Sequence, residues 1–389
     1  MKHIREALSN LPEGLHETYE NILAKVPTRS VRIVRRILQW LVCNVSTLTL
    51  AELHESLAIE PDMDHIDEEA QLSSPMDIYD LCGSLIAVTA EGEVILAHLS
   101  VKDYLLSDAI KGGSASVFTF SETEANAENA PSCLTYLSFA EIRSGPAGSA
   151  DDFEARLLRH PFLGHASRWW ASYAQNANSS EEELNKRVLQ FFSSSCRPQF
   201  MSWLQVICSK VMLSRKAKYR TAMGYRKRAW NSYPKHATSL YYAASFGLEH
   251  VVGALLAQGV EVDAVGGRLS ATAFHAAALR GHVQVMDILF QKGADPNQVD
   301  FIKKTPLHSA ALTGNVEVCK YLLEHGADPE ARDDQRRTPY YWACRAGHVD
   351  AQRVFEAATI KRRQVRARLR QDHQLPYRQR TPVSISSKT

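Results

Sequence analysis

A chain of 389 residues, 45% hydrophobic and 23% charged, has the material for two or three cored domains and lacks the composition of a disordered polyelectrolyte. Its net charge of +2 argues against a uniformly basic polyanion binder, but averages over two basic stretches. Residues 215–235 hold eight Lys and Arg without an acid, and residues 361–389 hold nine against the single Asp372.

The seven cysteines, at 43, 82, 133, 196, 208, 319 and 344, form no C-x-x-C pair. Reduced, buried thiols are expected, not a disulfide framework or a zinc site. The first residues lack the apolar centre of a signal peptide, and no apolar run reaches membrane-spanning length. The expectation is an intracellular chain, cytoplasmic or, through its basic tail, nuclear.

Residues 1–29 read as a leading helix and residues 30–112 as a separate unit. Val34, Ile37, Leu38, Leu41 and Val45 form one stripe of a helix over 30–44. Thr49 and Glu52 have capping-box spacing and open a second helix running to Leu57. Ser74-Pro75-Met76-Asp77 opens a third, carrying Ile78, Leu81, Cys82 and Leu85. Strands over 85–89 and 94–99 flank the turn Ala90-Glu91-Gly92-Glu93, and Ser100 caps a helix through Leu106. Three helices followed by a hairpin make a winged-helix plan. Phosphate contact through it would be repelled by Glu52, Glu55, Glu60, Asp77, Asp80, Glu91 and Glu93.

Residues 113–235 read as a helical connecting region. Within it, 113–150 is expected to be loop apart from a helix near 130–142. Residues 151–211 are helical, with Trp169, Trp170, Phe191, Phe192 and Trp203 as packing material. The basic segment 215–235, interleaved with Tyr219, Tyr225, Trp230 and Tyr233, is either a solvated connector or a polyanion contact.

Residues 236–358 repeat. Thr238, Thr272, Thr305 and Thr338 recur at intervals of 34, 33 and 33, and Gly247, Gly281, Gly314 and Gly347 keep the same intervals. The third unit is the fullest: Thr305-Pro306-Leu307-His308-Ser309-Ala310-Ala311, Gly314-Asn315-Val316-Glu317-Val318, Tyr321-Leu322-Leu323 and Gly326-Ala327-Asp328. These residues match the ankyrin pattern, so four stacked helix pairs are expected, each burying its apolar face on its neighbours. His275 and His308 are read as structural, bonding to the next loop's backbone.

A binding array presents its hairpin tips and inner helices. The candidates are Phe301, Ile302, Lys303, Gln335, Arg336 and Arg337 at the tips, and Ser245, Phe246, Leu279, Arg280, Leu312, Thr313 and Arg345 on the inner helices. Adjacent apolar residues at a tip, Phe301 and Ile302, call for a cover, either a partner or an adjacent loop. The tail, 359–389, reads as disordered or as a helical extension, with the basic character of a nuclear-import signal.

The first half also resembles a family. Leu11-Pro12-Glu13-Gly14-Leu15-His16-Glu17-Thr18-Tyr19-Glu20-Asn21-Ile22-Leu23 is similar to the linker after the nucleotide-binding domain of fungal NACHT proteins with ankyrin repeats. Ile37-Leu38-Gln39-Trp40-Leu41, Asp80-Leu81-Cys82-Gly83-Ser84-Leu85 and His98-Leu99-Ser100-Val101-Lys102-Asp103-Tyr104-Leu105 continue the resemblance. Cys133-Leu134-Thr135-Tyr136-Leu137-Ser138 and Pro161-Phe162-Leu163-Gly164-His165-Ala166 extend it over most of residues 1–205. The resemblance implies a signalling NTPase architecture, with 1–29 as the linker after the NACHT domain. The sequence holds no G-x-x-x-x-G-K-[ST] phosphate loop, so no nucleotide hydrolysis is expected and the chain reads as a truncated relative. His98 stands where the superfamily places a nucleotide sensor, but Ala97-His98-Leu99 lacks the family's Asp. A structural His on the second wing strand is the competing reading.

The fold expected is predominantly α: a winged-helix-like domain, a helical region and an ankyrin solenoid. No G-x-S-x-G, H-E-x-x-H or paired cysteines are present, so a non-enzymatic protein-binding chain without metal or cofactor is expected. The alternatives are the regulatory portion of a NACHT NTPase, which would restore meaning to His98, and nucleic-acid binding through the basic segments.

Overall fold

The computed structural model describes residues 13–43, 45–67, 71–177, 182–209 and 230–374. Asn44, the motif residues Leu11 and Pro12, most of the basic segment 215–235 and the tail beyond 374 lie outside the described residues. The chain divides into two compact units, residues 1–235 and 236–389.

The first unit begins with α1 (Glu13–Ala24) and α2 (Val31–Cys43). On α2, Val34, Ile37, Leu38 and Leu41 bury one stripe, and Trp40 and Val42 are buried as well. Burial on more than one side follows from a second helix covering α2, described below. Strand β1 (Leu48–Thr49) leads into α3 (Leu50–Leu57), where Thr49 and Glu52 form the reciprocal capping box. After α4 (Asp77–Cys82), β2 (Ile86–Val88) and β3 (Glu93–Leu96) form the wing. The antiparallel sheet runs β1-β3-β2, with Leu48 opposite Val94 and Ile86 opposite Leu96. The two-residue β1 is too short to leave a period-2 signature in the sequence. Gly92 turns the hairpin at φ 78, a left-handed geometry that L side chains avoid.

The next helix, α5 (Leu99–Leu105), starts two residues earlier than a cap at Ser100 would dictate, because His98 is its cap. Residues 113–150 are more helical than their composition suggests. Helix α6 (Glu122–Leu137) begins eight residues before the expected start, at a capping box between Ser121 and Glu124. Its first half buries Ala125, Asn126, Asn129 and Ala130, its second half Cys133, Leu134, Tyr136 and Leu137, and Pro131 stands in its interior. Tertiary packing on α2 supports it where propensity does not. A short α7 (Ala140–Arg143) precedes α8 (Ala150–Arg159), α9 (Leu163–Asn176), α10 (Glu182–Phe191) and α11 (Arg197–Cys208).

These helices are not a mere connector, because α9 packs along α6, which in turn packs on α2. Trp40 of α2 meets Phe162 and Tyr173 edge-on at 5.4 Å. A second aromatic group joins Trp170, Phe191, Phe192, Phe200 and Trp203, with Trp203 Nε1 donating to the Ser167 carbonyl at 2.8 Å. Trp169 is only half-buried and lies outside that core.

The second unit is four helix pairs: α12 (Ser239–Ser245) with α13 (Glu249–Ala257), α14 (Ala273–Arg280) with α15 (Val283–Gln291), α16 (Pro306–Thr313) with α17 (Val316–Glu324), and α18 (Pro339–Ala346) with α19 (Val349–Gln374). Each inner helix packs on the next, α12 to α14 to α16 to α18. Fully buried Ala243, Ala277, Ala310 and Ala343 let them approach closely. Gly314 sits at φ 72, and a Cβ there would lie 2.4 Å from the ring of His348 in the next repeat. The glycine is thus required twice, by backbone conformation and by stacking. Helix α19 continues through Gln374, so the tail begins as a helical extension. No described helix is long and apolar enough to cross a membrane.

Candidate functional site

The hairpin tips are built by aspartates. Asp300 Oδ1 accepts from the backbone N–H groups of Ile302 and Lys304 at 2.9 and 2.8 Å. One repeat on, Asp333 Oδ1 does the same for Gln335 and Arg337 at 3.0 and 2.8 Å. These turns put Lys303 and Arg336 into the left-handed region at φ 57 and 61. Successive tips are tied by backbone: Phe301 N–H donates to the Leu269 carbonyl at 2.7 Å, and Asp334 N–H to the Ile302 carbonyl at 3.0 Å.

On this frame the Phe301 side chain is 77% exposed, so no adjacent loop covers it, whereas Ile302 is half-buried. Val265, Leu269 and Val299 are exposed apolar neighbours in the same loops. Lys303, Gln335 and Arg336 are exposed and Arg337 is half-buried. On the inner helices, Leu279, Arg280, Leu312, Thr313 and Arg345 are exposed, while Ser245 and Phe246 are half-buried. The seventh residue after each repeat threonine is Ser245, Leu279, Leu312 and Arg345. One face therefore runs from a hydroxyl through two leucines to a cation on an otherwise uniform scaffold.

The structure also joins two of these candidates, Arg337 and Arg345, to residues that the repeat pattern did not single out, Lys304, Trp342 and Asp333. The Lys304 ammonium lies 3.7 Å from the Trp342 ring centroid, with the Arg337 and Arg345 guanidinium carbons at 4.4 and 5.7 Å. Trp342 Nε1 donates to Asp333 Oδ2 at 3.0 Å, and Arg337 Nε donates to the same oxygen at 2.9 Å. Burial works to raise the Asp333 carboxyl, but the Arg337 backbone N–H, the indole N–H and the Arg337 guanidinium outweigh it and keep it below its ordinary value. Burial, together with the Arg337 charge, pulls the Lys304 ammonium below its own against nearby Asp300 and Asp333. The available signal was Trp342 itself, a bulky ring where the third repeat carries Ser309.

His275 and His308 are repeat-to-repeat ties. Nδ1 of His308 accepts from the Thr305 N–H at 3.1 Å, which leaves the proton on Nε2 to bond the Arg337 carbonyl at 3.1 Å. His275 repeats this with Thr272 at 3.3 Å and the Lys304 carbonyl at 2.9 Å.

His98 is placed differently from the expectation of a partly buried strand residue. It is exposed, lies beyond the end of β3, and caps α5 by accepting from Ser100 N–H at 3.2 Å. Its Nδ1 also pairs with Ser100 Oγ, which meets Tyr19 Oη at 2.7 Å. Glu55, read from sequence as part of the acidic DNA-repelling face, is buried and accepts from Phe162 N–H at 2.7 Å. All seven cysteines are free thiols, but only Cys82, Cys133 and Cys319 are buried; Cys43, Cys196 and Cys208 are half-buried and Cys344 is exposed. Burial pushes the Cys82 thiol up to about 12. Among the described residues, no group of three His, Cys, Asp or Glu side chains is placed to hold a metal ion.

Comparison with known proteins adds two family matches and a relative. Residues 224–300 and 275–358 match the family described as ankyrin repeats, three copies. Residues 20–120 match the winged helix domain of GPI inositol-deacylase. The chain is 29% identical over 306 residues to azaphilone pigments biosynthesis cluster protein L of Monascus ruber, an alignment covering 74% of this chain and 61% of that protein. The chain thus spans less than two thirds of its relative's length. With its helix pairs and its three-stranded sheet, it carries a winged-helix domain of the GPI-inositol-deacylase type followed by ankyrin repeats.

Proposed function

We propose that the chain is a non-enzymatic recognition protein that binds a protein partner through its ankyrin tips and inner helices. The observation that carries this reading is Phe301, 77% exposed on a rigid, hydrogen-bonded tip. A large apolar side chain held in water by a preorganised turn is costly unless it anchors a contact. The finer partner-facing set is Phe301, Ile302, Lys303, Gln335, Arg336 and Arg337 at the tips, with Phe246, Leu279, Arg280, Leu312 and Arg345 on the inner helices. Residues that hold the scaffold, such as His275 and His308, fall outside it. The test is a photo-crosslinking amino acid at position 301 of the full chain in its native cells. A discrete crosslinked protein is expected, absent when the label is moved to exposed Arg353 on the outer helix α19. Identical products from both positions would refute the reading.

A second reading draws on the winged helix and on the relative's greater length. In it the chain acts as the regulatory portion of a NACHT signalling protein. It places the chain inside the cell, and the pigment cluster in the relative's name makes fungal secondary metabolism a setting to try first. An in-frame G-K-[ST] loop in the genomic sequence upstream of Met1 would support it, and a stop codon directly upstream would oppose it.

A further inference from the structure

Three cations converge on one indole in the fourth repeat. Lys304, Arg337 and Arg345 surround Trp342 at 3.7, 4.4 and 5.7 Å from its centroid. The carboxylate in their midst, Asp333, has a fully buried side chain, and both its oxygens are committed. Oδ1 accepts two backbone N–H groups, and Oδ2 accepts the Arg337 and Trp342 donors. Asp300 is likewise engaged by its own turn, and Asp334 is exposed. Lys303 and Arg336 add positive charge at the tips, so the region keeps a cationic surplus. Asp300 and Asp333 only partly offset the burial of the Lys304 ammonium and its repulsion by Arg337, so a further anion at this cluster would be favoured.

We propose that this cluster seats a carboxylate side chain of an acidic peptide segment in the protein partner, with the segment's apolar residues reaching Leu312 and the Phe301 tip. Arg345 supplies a planar donor fork suited to a carboxylate, and Lys304 a compact charge beside it. Leu312 and Arg345 occupy the same repeat position in consecutive units, so an extended chain crossing the inner helices meets an apolar and then a cationic residue. That sequence of chemistries fits a peptide alternating leucine and glutamate. A nucleic acid fits less well: its bases stack on open aromatic faces, and here an ammonium and a guanidinium stand over the indole.

The proposal rests on the array being a protein-binding surface, and its test separates the two. The probes are fluorescein-labelled dodecapeptides alternating Glu and Leu, or Gln and Leu, and a single-stranded oligonucleotide of charge equal to the first. Their anisotropy is read against the full chain at 50 and 300 mM NaCl. The acidic peptide is expected to bind at least ten-fold more tightly than the neutral one. Arg345→Gln and Lys304→Gln should each reduce that preference several-fold while the circular-dichroism spectrum at 20 °C stays that of the folded chain, and Arg353→Gln should leave both alone. Carbodiimide coupling of the acidic peptide should map to Lys304. Equal binding of acidic and neutral peptides overturns the proposal, as does tighter binding of the oligonucleotide lost in the same variants. A natural partner lost on Phe301→Ser but retained on Arg345→Gln and Lys304→Gln also overturns it, while leaving the array's binding role standing.

Discussion

The Nε2–H of His308 donates to the backbone carbonyl of Arg337 at 3.1 Å, joining the inner helix of the third repeat to the hairpin of the fourth. The same imidazole accepts from Thr305 at its other nitrogen. One side chain therefore caps its own helix and holds the tip on which Arg337 approaches Trp342. His308→Ala should cost about 1–3 kcal/mol, the range for leaving a buried backbone donor or acceptor unpaired. Urea denaturation of the full chain checks this, with far-UV circular dichroism reporting the repeats.

Burial lowers the pKa of both His275 and His308, and the carbonyls they bond only partly offset it. Groups that are neutral in the fold and protonate more readily when unfolded stabilise the native state above the unfolded value of about 6.5. That contribution is lost as pH falls below 6.5 towards the depressed folded values. The repeats should therefore melt at lower temperature at pH 5 than at pH 8. Replacing both histidines by Gln should flatten that dependence; an unchanged slope would contradict the assignment.

The first unit contains a group of opposite sign. His160 lies 3.8 Å from Glu55 and 3.0 Å from Glu141, and these carboxylates raise its pKa against the effect of burial. Its contribution is complete below the unfolded value of about 6.5 and is lost as pH rises through the raised folded value. His160→Gln should reduce the stability of this unit at pH 6 more than at pH 9. Histidine C2 proton shifts followed by NMR measure the titration itself.

Gly314 and Gly326 separate two costs of a methyl group. Both have positive φ, 72 and 89, but a Cβ at 314 meets the His348 ring while one at 326 meets nothing within 4 Å. Gly326→Ala should cost about 1 kcal/mol from backbone strain alone. Gly314→Ala should cost about 1–3 kcal/mol more through overpacking. Equal midpoints in urea would count against the stacking role of Gly314.

The repeats were legible because threonines and glycines recur at one period, and each is placed by a local rule of capping or left-handed backbone. The winged helix was legible from Thr49, Gly92 and the α2 stripe for the same reason. Only the second half of helix α6 was, because its first half buries Ala125, Asn126, Asn129 and Ala130 ahead of Pro131, so neither period nor propensity marks its start. His98 was misplaced because the wing strand ends at Leu96, three residues short of its expected end, and the helix cap follows at once. The Trp342 cluster was hidden for a different reason. Lys304 is 38 positions away in sequence, and only stacking of consecutive repeats brings its ammonium to the ring.

Whether the array recognises a protein is decided by affinity capture from native cells with the full chain, comparing wild type with Phe301→Ser. The substitution lies on an exposed tip and should change stability by less than about 0.5 kcal/mol. The expected result is a specific protein recovered by wild type and reduced at least ten-fold by Phe301→Ser, with equal melting temperatures. Recovery of the same proteins in the same amounts by both would contradict a binding role for these tips.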